Sequence, residues 1–224
     1  MPVTEFAIIH FKHDKWEEAS HRAPPPQAPS IAPSLEIPSN VLTKLSTARE
    51  YLQRASGHTF RFFQQFEDPF TIHIIGKWDS TESHTAFLSS AENQYLLELM
   101  REHISSGEGN TGIQMWHLDV DVFDYPSLKD SWLSSATLVA YQRYTISTQG
   151  SADHSQGFDD MIARMRIDRS AAGGWRIEKE AEDDEWMVFF DFKVKDDEKV
   201  TQGLGGMELA TPVDELHMVA IERL

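Results

Sequence analysis

Three histidines in predicted β-strands are the residues of this chain best suited to chemistry. They are His10, His73 and His117, and each stands in a different strand. Side chains alternate between the two faces of a strand, and in all three strands the histidine shares its face with the less apolar residues. Because a face covered by helices must be dry, we predict that the three histidines point together into the interior of a barrel.

Imidazoles gathered in a partly enclosed cleft can serve as a general base and as hydrogen-bond donors near neutral pH. Burial and mutual repulsion would lower their pKa values and favour the neutral, basic form. We predict that His73 is the base, that His117 and His10 stabilise a developing enolate or phenolate, and that Asp119 orients one of the rings. The competing interpretation is that these histidines only fill space and bond to a neighbour.

A second group of candidate ligand-binding residues lies in the other half of the chain. Tyr141, Arg143 and Tyr144 share one predicted strand and carry groups that bind phenols or carboxylates, although ordinary barrel packing would also explain them. His217 has a Leu-His-Met context that matches the Trp-His-Leu context of His117. It would either line the other end of the same pocket or pack against its neighbours.

The sequence argues against a bound metal or cofactor. Three histidines and a carboxylate are ligand types that suit zinc or iron, but no HxH or HExxH spacing is present to hold the ion. The chain has no cysteine, which excludes disulfides, thiolate metal sites and cysteine nucleophiles. It also lacks a GxGxxG motif and a P-loop, so we expect no cofactor.

Composition narrows the range of partners. The formal net charge is −16, and nucleic acids or anionic membranes would repel such a chain. The chain of 224 residues contains 13 Phe and 6 Trp, which is enough apolar material for a core. Its first residues resemble a strand rather than a signal peptide, and no apolar stretch is long enough to span a bilayer. We expect a soluble, cytosolic protein that binds a hydrophobic small molecule, with homodimerisation as an option.

The elements that position the histidines follow a strand-helix-strand-strand-helix-strand order in the first half. The predicted strands span residues 4–12, 59–66, 70–78 and 113–123. The first helix is capped by Ser39 or Asn40 and ends at Gly57, and the second begins at Asp79 or Ser80 and restarts near residue 89. This order is typical of a ferredoxin-like unit.

The second half repeats this order with little sequence identity. Its predicted strands span residues 138–146, 175–180, 186–194 and 213–223. One helix around 158–165 is predicted to stop at Gly173-Gly174, and a short helix follows near 196–207. The repeat therefore rests on the order of the elements.

These patterns predict an α+β fold. They indicate two tandem ferredoxin-like units, residues 1–125 and 136–224, and the family resemblance given next implies that these units together form one pseudo-dimeric α/β barrel. Residues 21–38 hold six of the ten prolines and are predicted to form an extended loop near the barrel mouth.

Two segments, VTEFAIIHFK at the start and GKWDSTESHTAF after the third strand, resemble the dimeric α/β-barrel superfamily. The likeness is to antibiotic-biosynthesis-monooxygenase-like proteins and to stress-responsive barrel proteins of fungi. It covers the first half well and the second half through topology. It implies a barrel of two units packed sheet against sheet, and an enzyme that deprotonates an acidic carbon or phenol of an aromatic or polyketide-like compound without a cofactor.

Other members of the superfamily supply alternatives. Polyketide cyclases of the olivetolic-acid-cyclase kind use a strand histidine, but FTIHIIGKWDS leaves His73 one position out of register, which reverses its face. A haem-binding member would want an axial histidine, and neither His84 nor His103 lies in a recognisable haem motif. His84, in the first turn of a helix, is expected to be structural or solvent-facing. The alternatives to the cofactor-independent monooxygenase, cyclase or decarboxylase are a non-catalytic, stress-associated ligand-binding barrel and a haem- or metal-dependent barrel enzyme.

Overall fold

A computed structural model describes most of the chain, with gaps between elements. The described residues are 1–14, 16, 36–105, 112–124, 138–146, 171–179, 184–191, 210–221 and 224. Residues 21–35 of the proline-rich segment and both predicted helices of the second half lie outside the described residues.

The first half contains four strands and three helices: β1 Val3–His10, α1 Ser39–Ser56, β2 Phe60–Gln65, β3 Thr71–Trp78, α2 Thr81–Leu88, α3 Ala91–Met100 and β4 Ile113–Leu118. The described part of the second half adds four strands after a 3-10 turn at Val122–Asp124: β5 Leu138–Ile146, β6 Ala171–Trp175, β7 Asp184–Asp191 and β8 Ala210–Ala220.

All eight strands join one antiparallel sheet in the order β4-β1-β3-β2-β8-β5-β7-β6. The sheet curls until its two edges meet, where Leu118 forms an isolated bridge with Arg176. Beside this bridge the Asp119 amide donates to the Trp175 carbonyl at 3.0 Å, and the Ile177 amide donates to the His117 carbonyl at 2.8 Å. We call this meeting of residues 117–119 with 175–178 the seam. The mixed α/β fold and the nearly closed barrel are as predicted.

Each half uses its strands in the same spatial order. The first half runs β4-β1-β3-β2 and the second runs β8-β5-β7-β6, so the fourth, first, third and second strands are neighbours in both. The helices that would complete a second ferredoxin-like unit fall within residues 147–170 and 192–209, outside the described residues. The tandem arrangement of two such units, with its boundaries, therefore stays a prediction.

The barrel has two apolar faces, because the sheet packs on both sides. The outer face of the sheet carries α1, α2 and α3. The core between them contains Val3, Ala7 and Ile74 from the strands and Leu45 from α1. The inner face is rich in aromatic residues, and its buried members include Phe6, Phe63, Ile75, Trp116, Leu118, Tyr141, Met187 and Phe189. No helix in the described ranges is long and apolar enough to cross a membrane.

Local caps position the helices much as the sequence predicts. Ser80 and Ser83 form a reciprocal capping box at the start of α2, with both side chain–backbone distances at 3.2 Å. Ser90 caps α3 by accepting the Asn93 amide at 3.1 Å. Gly57 ends α1 in the left-handed conformation, with φ of 75°. The predicted cap of α1 is wrong, because Pro38 takes that position and the first helical residue is Ser39.

The prediction for Gly173 and Gly174 in the second half of the chain is also wrong. Gly173 and Gly174 do not stop a helix but lie inside β6. A Cβ atom on Gly173 would fall 2.4 Å from the Trp186 ring, and one on Gly174 would fall 2.4 Å from a Val120 methyl group. The two glycines are thus required for close packing within the barrel rather than for chain termination.

The fourth strand is shorter than predicted and ends at Leu118. The chain turns immediately afterwards because the Thr4 hydroxyl binds it twice. That hydroxyl donates to the Val120 carbonyl at 2.5 Å and accepts the Val122 amide at 3.1 Å. This turn brings the end of β4 to the seam.

Candidate functional site

His73 lies at the centre of an aromatic cluster on the inner face of the barrel. Its side chain is fully buried. The ring stacks on Phe6 with centroids 5.5 Å apart and meets the edge of Tyr141 at the same distance. Phe6 in turn contacts the rings of Trp116 and Phe189 at 5.5 and 5.4 Å. An imidazole is therefore presented inside an otherwise aromatic enclosure.

The hydrogen bonds of His73 distinguish its two ring nitrogens. Nε2 lies 3.0 Å from the Oε1 atom of Gln65 on the neighbouring strand β2. A carbonyl oxygen can only accept, so Nε2 carries the proton and Nδ1 keeps its lone pair. Nδ1 is buried and has no hydrogen-bond partner among the described residues. The atom of this ring that can accept a proton is therefore the one that has no partner in the described part of the chain.

Burial lowers the pKa of His73 to about 3, and the nearby His10 lowers it further while Asp68 opposes the shift. The imidazole is consequently neutral across the physiological pH range. In this state it can accept a proton from a bound molecule. A negative charge created beside it would favour the imidazolium form by direct attraction.

His10 shares the inner face with His73, as predicted. His10 pairs with Thr71 across the β1–β3 ladder, and Ile8 pairs with His73, so the two histidines stand on the same phase two residues apart. The His10 Nδ1 atom lies 3.0 Å from the Thr71 hydroxyl, which donates its own proton to Asp68 at 2.6 Å. His10 therefore donates to Thr71 through Nδ1, and it lies toward the end of the barrel, where it is only half-buried.

The predicted position of His117 is wrong. It pairs with Glu5 across the β1–β4 ladder and faces outward, toward α2. The parity argument assumed that the more apolar phase of each strand lies under the helices. In β4 the more apolar phase, with Trp116 and Leu118, packs inside the barrel, because that interior is itself lined with aromatic side chains.

Asp119 does not orient a histidine ring. Its side chain is exposed, and Oδ1 accepts the backbone amide of Trp175 at 2.8 Å. It therefore binds the two sides of the seam together, and the predicted orienting role is wrong.

Two of the three candidates in β5 face the interior. Tyr141 and Arg143 occupy the inner phase, and the Arg143 guanidinium lies 5.9 Å from the centre of the Trp116 ring and 2.6 Å from Asp214. Burial raises the pKa of Tyr141, and the carboxylate of Asp214 adds to the shift. The Tyr141 phenol is therefore held in its neutral form.

Tyr144 and His217 lie on the opposite phase, so their predicted place in the pocket is wrong. The Tyr144 hydroxyl donates to Gln142 at 2.7 Å, and burial raises the pKa of the phenol to about 12. His217 pairs with Ala140 rather than with an inner residue, and its Nδ1 atom binds the carboxylate of Glu67. A bulge between Arg143 and Tyr144 also interrupts the β5–β8 register.

A second buried polar cluster, on the outer face under α2, was not foreseen. Glu5 is 3% exposed and accepts the Trp78 indole N–H at 2.5 Å, and burial raises its pKa to about 7. His84 is stacked on Trp78 at 4.5 Å and is 1% exposed, so the predicted solvent-facing option is wrong. Its Nδ1 atom lies 2.7 Å from the Nε2 atom of His117, whose Nδ1 binds Glu178.

One signal in the sequence pointed to this cluster. Glu5 stands between Val3 and Ala7 on the apolar phase of the first strand, where an acidic residue needs a buried partner. The partners themselves come from positions far along the chain. No group of three or more histidine and carboxylate side chains in the described segments is arranged to hold a metal ion.

Comparison with known proteins establishes the fold. No protein-family model matches the chain, and no curated protein matches its sequence. A proposed monooxygenase of Fusobacterium nucleatum superposes with a TM-score of 0.59 at 8% identity, over 99% of this chain and 93% of that one. A mutant chlorite dismutase of Candidatus Nitrospira defluvii gives 0.59 at 11% identity, over 99% and 92%. An anthrone oxidase-like protein gives 0.56 at 7% identity, over 99% and 92%.

The chain shares the fold of monooxygenase-like and chlorite dismutase-like barrels. Because all three identities are 11% or lower, the likeness concerns the fold alone. The chemistry must be argued from the residues of the barrel.

Proposed function

We propose that this protein is a monooxygenase-like enzyme that binds a hydrophobic aromatic or polyketide-like molecule inside the barrel and removes a proton from it. The observation that carries this proposal is the fully buried imidazole of His73, whose Nδ1 atom lacks a partner among the described residues within a cluster of aromatic rings. Aromatic walls suit an aromatic ligand through stacking and edge contacts. The fold likeness to an anthrone oxidase-like protein agrees with this class of substrate.

In this proposal each inner residue has a distinct role. Gln65 keeps the proton of His73 on Nε2, so Nδ1 is the base that faces the substrate. Tyr141 and Arg143 stand on the same inner phase and would stabilise the developing phenolate or enolate. His10 lies nearer the end of the barrel, and because its Nδ1 atom donates to Thr71, its Nε2 atom would accept a hydrogen bond from the substrate. His117 takes no part, because it faces away from the interior.

The low pKa of His73 fits a base that acts only when substrate is bound. Alone, the ring is neutral because charging it in the dry interior is unfavourable. Once the substrate gives up its proton, the new anion lies beside the imidazolium and stabilises it, so both charges form together.

The subsequent oxidation needs only molecular oxygen as co-reactant. The carbanion adds to O2 with formation of a C–O bond, and the resulting peroxide anion takes back the proton from His73. The hydroperoxide then loses water to leave a carbonyl group. One oxygen atom of O2 ends in the product and the other in water, while a CH2 group is oxidised to C=O. A cyclase or decarboxylase would use the same first deprotonation. The tandem ferredoxin-like organisation, 1–125 and 136–224, and homodimer formation belong to the same proposal.

A haem- or metal-dependent reaction is the second candidate, because the fold is also that of a chlorite dismutase. The described inner histidines do not fit an axial haem ligand. His73 is enclosed by Phe6 and Tyr141, and its Nε2 atom is bound to Gln65. A haem would have to displace these rings from the core.

Replacement of His73 tests the proposal. With anthrone as the model substrate, oxygen uptake and product formation are measured for the wild type, for His73→Gln and for the control His58→Gln, whose side chain is partly exposed and pairs with Asp79. We expect His73→Gln to lose roughly 10²- to 10⁴-fold in rate, as is usual for loss of a general base, and His58→Gln to retain full activity. Unchanged turnover in His73→Gln would remove the proposed base.

Two further readouts separate the alternatives. Binding of anthrone without any product, in all three proteins, would favour the non-catalytic ligand-binding barrel. A metal analysis and a visible spectrum of the active protein address the second candidate. A Soret band, or activity that disappears with a chelator, would favour haem or metal dependence.

A further inference from the structure

The buried cluster under α2 forms a continuous series of four titratable groups. Glu5 comes from β1, His84 from α2, His117 from β4 and Glu178 from the segment after β6. Successive distances are 3.5 Å from Glu5 Oε2 to His84 Nε2 and 2.7 Å from His84 Nδ1 to His117 Nε2, followed by the bond from His117 Nδ1 to Glu178. The series runs from a fully buried carboxyl to a partly exposed one.

Donor and acceptor rules allow one arrangement of protons when both rings are neutral. The Glu178 carboxylate accepts from His117 Nδ1, and hydrogen bonding to His117 lowers the pKa of Glu178 against the effect of burial. His117 Nε2 is then an acceptor, so His84 Nδ1 must donate to it. His84 Nε2 is left as an acceptor facing Glu5. With an acceptor nitrogen 3.5 Å away and the carboxyl buried, Glu5 is favoured in its protonated form.

We propose that Glu5, His84, His117 and Glu178 form a proton-binding site that holds one shared proton and couples the docking of α2 to closure of the seam. The proton of Glu5 can pass to His84 Nε2 while the Nδ1 proton of His84 passes to His117 Nε2. Glu5 is then a carboxylate, and His117 is an imidazolium bound to the Glu178 carboxylate. No proton is gained or lost in this exchange. The buried carboxyl thus communicates with the surface through two imidazoles.

The coupling follows from where the four residues stand. His84 is stacked on Trp78 and packs α2 against the sheet. Glu178 binds both the side chain and the backbone amide of His117, the latter at 2.8 Å, and so crosses the seam. Loss of the proton leaves two acceptors opposed somewhere in the series, because either Glu5 faces an unprotonated His84 nitrogen or the two histidines do. Either pair of facing acceptors would weaken the packing of α2 on the sheet and the contacts across the seam.

The groups that face the series come from every element packed on it. Trp78 from β3 donates to Glu5, His117 from β4 faces His84, and Glu178 faces His117. Burial lowers the pKa of His84 to about 3, with His117 adding to the shift and Glu178 opposing it. On folding, a proton that His84 would bind in the unfolded chain is therefore held by Glu5 instead. The pKa shifts of Glu5 and His84 therefore have opposite effects on the pH dependence of the unfolding free energy between pH 4.5 and 6.5.

Two isosteric variants expose these opposite linkages. In Glu5→Gln only the lowered pKa of His84 remains, so the unfolded chain binds one proton more than the folded chain. The unfolding constant relative to wild type should therefore rise tenfold for each unit that the pH falls from 6.5 to 4.5. In His84→Gln only the raised pKa of Glu5 remains, so the folded chain binds one proton more than the unfolded chain. The unfolding constant relative to wild type should therefore rise tenfold for each unit that the pH rises from 4.5 to 6.5. Urea unfolding at several pH values measures both, and the exposed α2 variant Thr85→Ala serves as the control with a constant ratio. Slopes of the same sign in the two Gln variants would overturn the proposal.

Two measurements keep the proposal testable if a variant fails to fold. Nitrogen NMR of the wild type should show His84 protonated on one nitrogen at a time, on Nδ1 when His117 Nε2 is unprotonated and on Nε2 when His117 Nε2 is protonated. A His84 ring protonated on both nitrogens, or facing nitrogens of the two rings that carry two protons or none, would overturn the shared-proton arrangement. Hydrogen exchange of Glu178→Ala should show at least tenfold faster exchange in α2, although the hydrogen bonds of Glu178 go to His117 in β4. Unchanged exchange in α2 would overturn the coupling.

Discussion

The ionisation state of His73 is decided by its immediate surroundings. The ring is fully buried between two aromatic side chains, and a single amide carbonyl binds it through Nε2. Neither neighbour offers a charge to stabilise an imidazolium, so burial is the main cause that keeps the ring neutral. His84 is shifted in the same direction, but it contacts another imidazole and faces a carboxyl. The pKa values of His73 and His84 are thus lowered to a similar extent, although the two rings have different hydrogen-bond partners.

A charge at residue 65 should change the protonation of His73. In Gln65→Glu a carboxylate would replace the amide carbonyl at 3.0 Å from Nε2. An opposite charge at this distance favours the imidazolium, so the His73 pKa should rise from about 3. Ring-nitrogen NMR shifts followed against pH measure the change. Gln64→Glu is the matched control, since Gln64 binds the Pro69 carbonyl on the other side of the strand. An unshifted His73 in Gln65→Glu would show that residue 65 does not set its tautomer.

Individual strands and helices differ in how well their faces can be inferred. In β1 and β3 the phase that contains the histidine points inward, but in β4 it points outward. All of these strands are buried on both sides, so apolar content does not distinguish inside from outside. Helix starts are simpler because their hydrogen bonds are local. The Ser80 capping box lies within four residues of sequence.

Removal of this cap should destabilise α2 and the residues it covers. Ser80→Ala leaves the Ser83 amide without its acceptor, and such losses cost about 1 kcal/mol of unfolding free energy. Ser89→Ala is a close control, because the exposed Ser89 side chain only bonds back to the Ala86 carbonyl. Urea titration of both variants measures the difference. Equal stabilities would mean that the capping box contributes nothing to the fold.

At the scale of the whole molecule, the barrel brings buried titratable groups together from both halves. The pKa values of His73 and His84 are both lowered to about 3, and that of Glu5 is raised to about 7. A depressed imidazole contributes stability that is present above pH 6.5 and is lost as the pH falls. A raised carboxyl contributes stability that is present below pH 4.5 and is lost as the pH rises through 7. Between pH 4.5 and 6.5 the raised carboxyl cancels the pH dependence of one of these two histidines, and the other still makes the unfolded chain bind one proton more than the folded chain.

The native state should therefore lose stability as the pH falls from 6.5 to 4.5. One uncompensated proton corresponds to about 1.4 kcal/mol of unfolding free energy per pH unit. The lowered pKa of His103 acts in the same direction. His73→Gln should remove most of this slope, because the opposing shifts of His84 and Glu5 remain. Urea unfolding of the two proteins at pH 4.5, 5.5 and 6.5 provides the test. A slope that is the same in both proteins would contradict the assigned burial of His73.

Much of the first half of the fold could be predicted from the sequence because its signals are local. The left-handed Gly57, the serine cap of α2 and the restart before α3 involve contacts between residues a few positions apart. Alternation along neighbouring strands also predicted that His10 and His73 share a face, although it did not by itself decide that this face is the inner one. The glycines of β6 were misread because their role is to admit Trp186 and Val120 from elsewhere in the chain.

Tertiary structure alone decided which way His117 points and what surrounds it. Its partners His84 and Glu178 lie 33 and 61 residues away, and they meet only because α2 packs on the sheet and the seam closes the barrel. A strand with two buried faces carries no pattern that distinguishes the interior of the barrel from the helix layer. Alternation states that neighbouring side chains point apart. Packing against both layers determines which of them points inward.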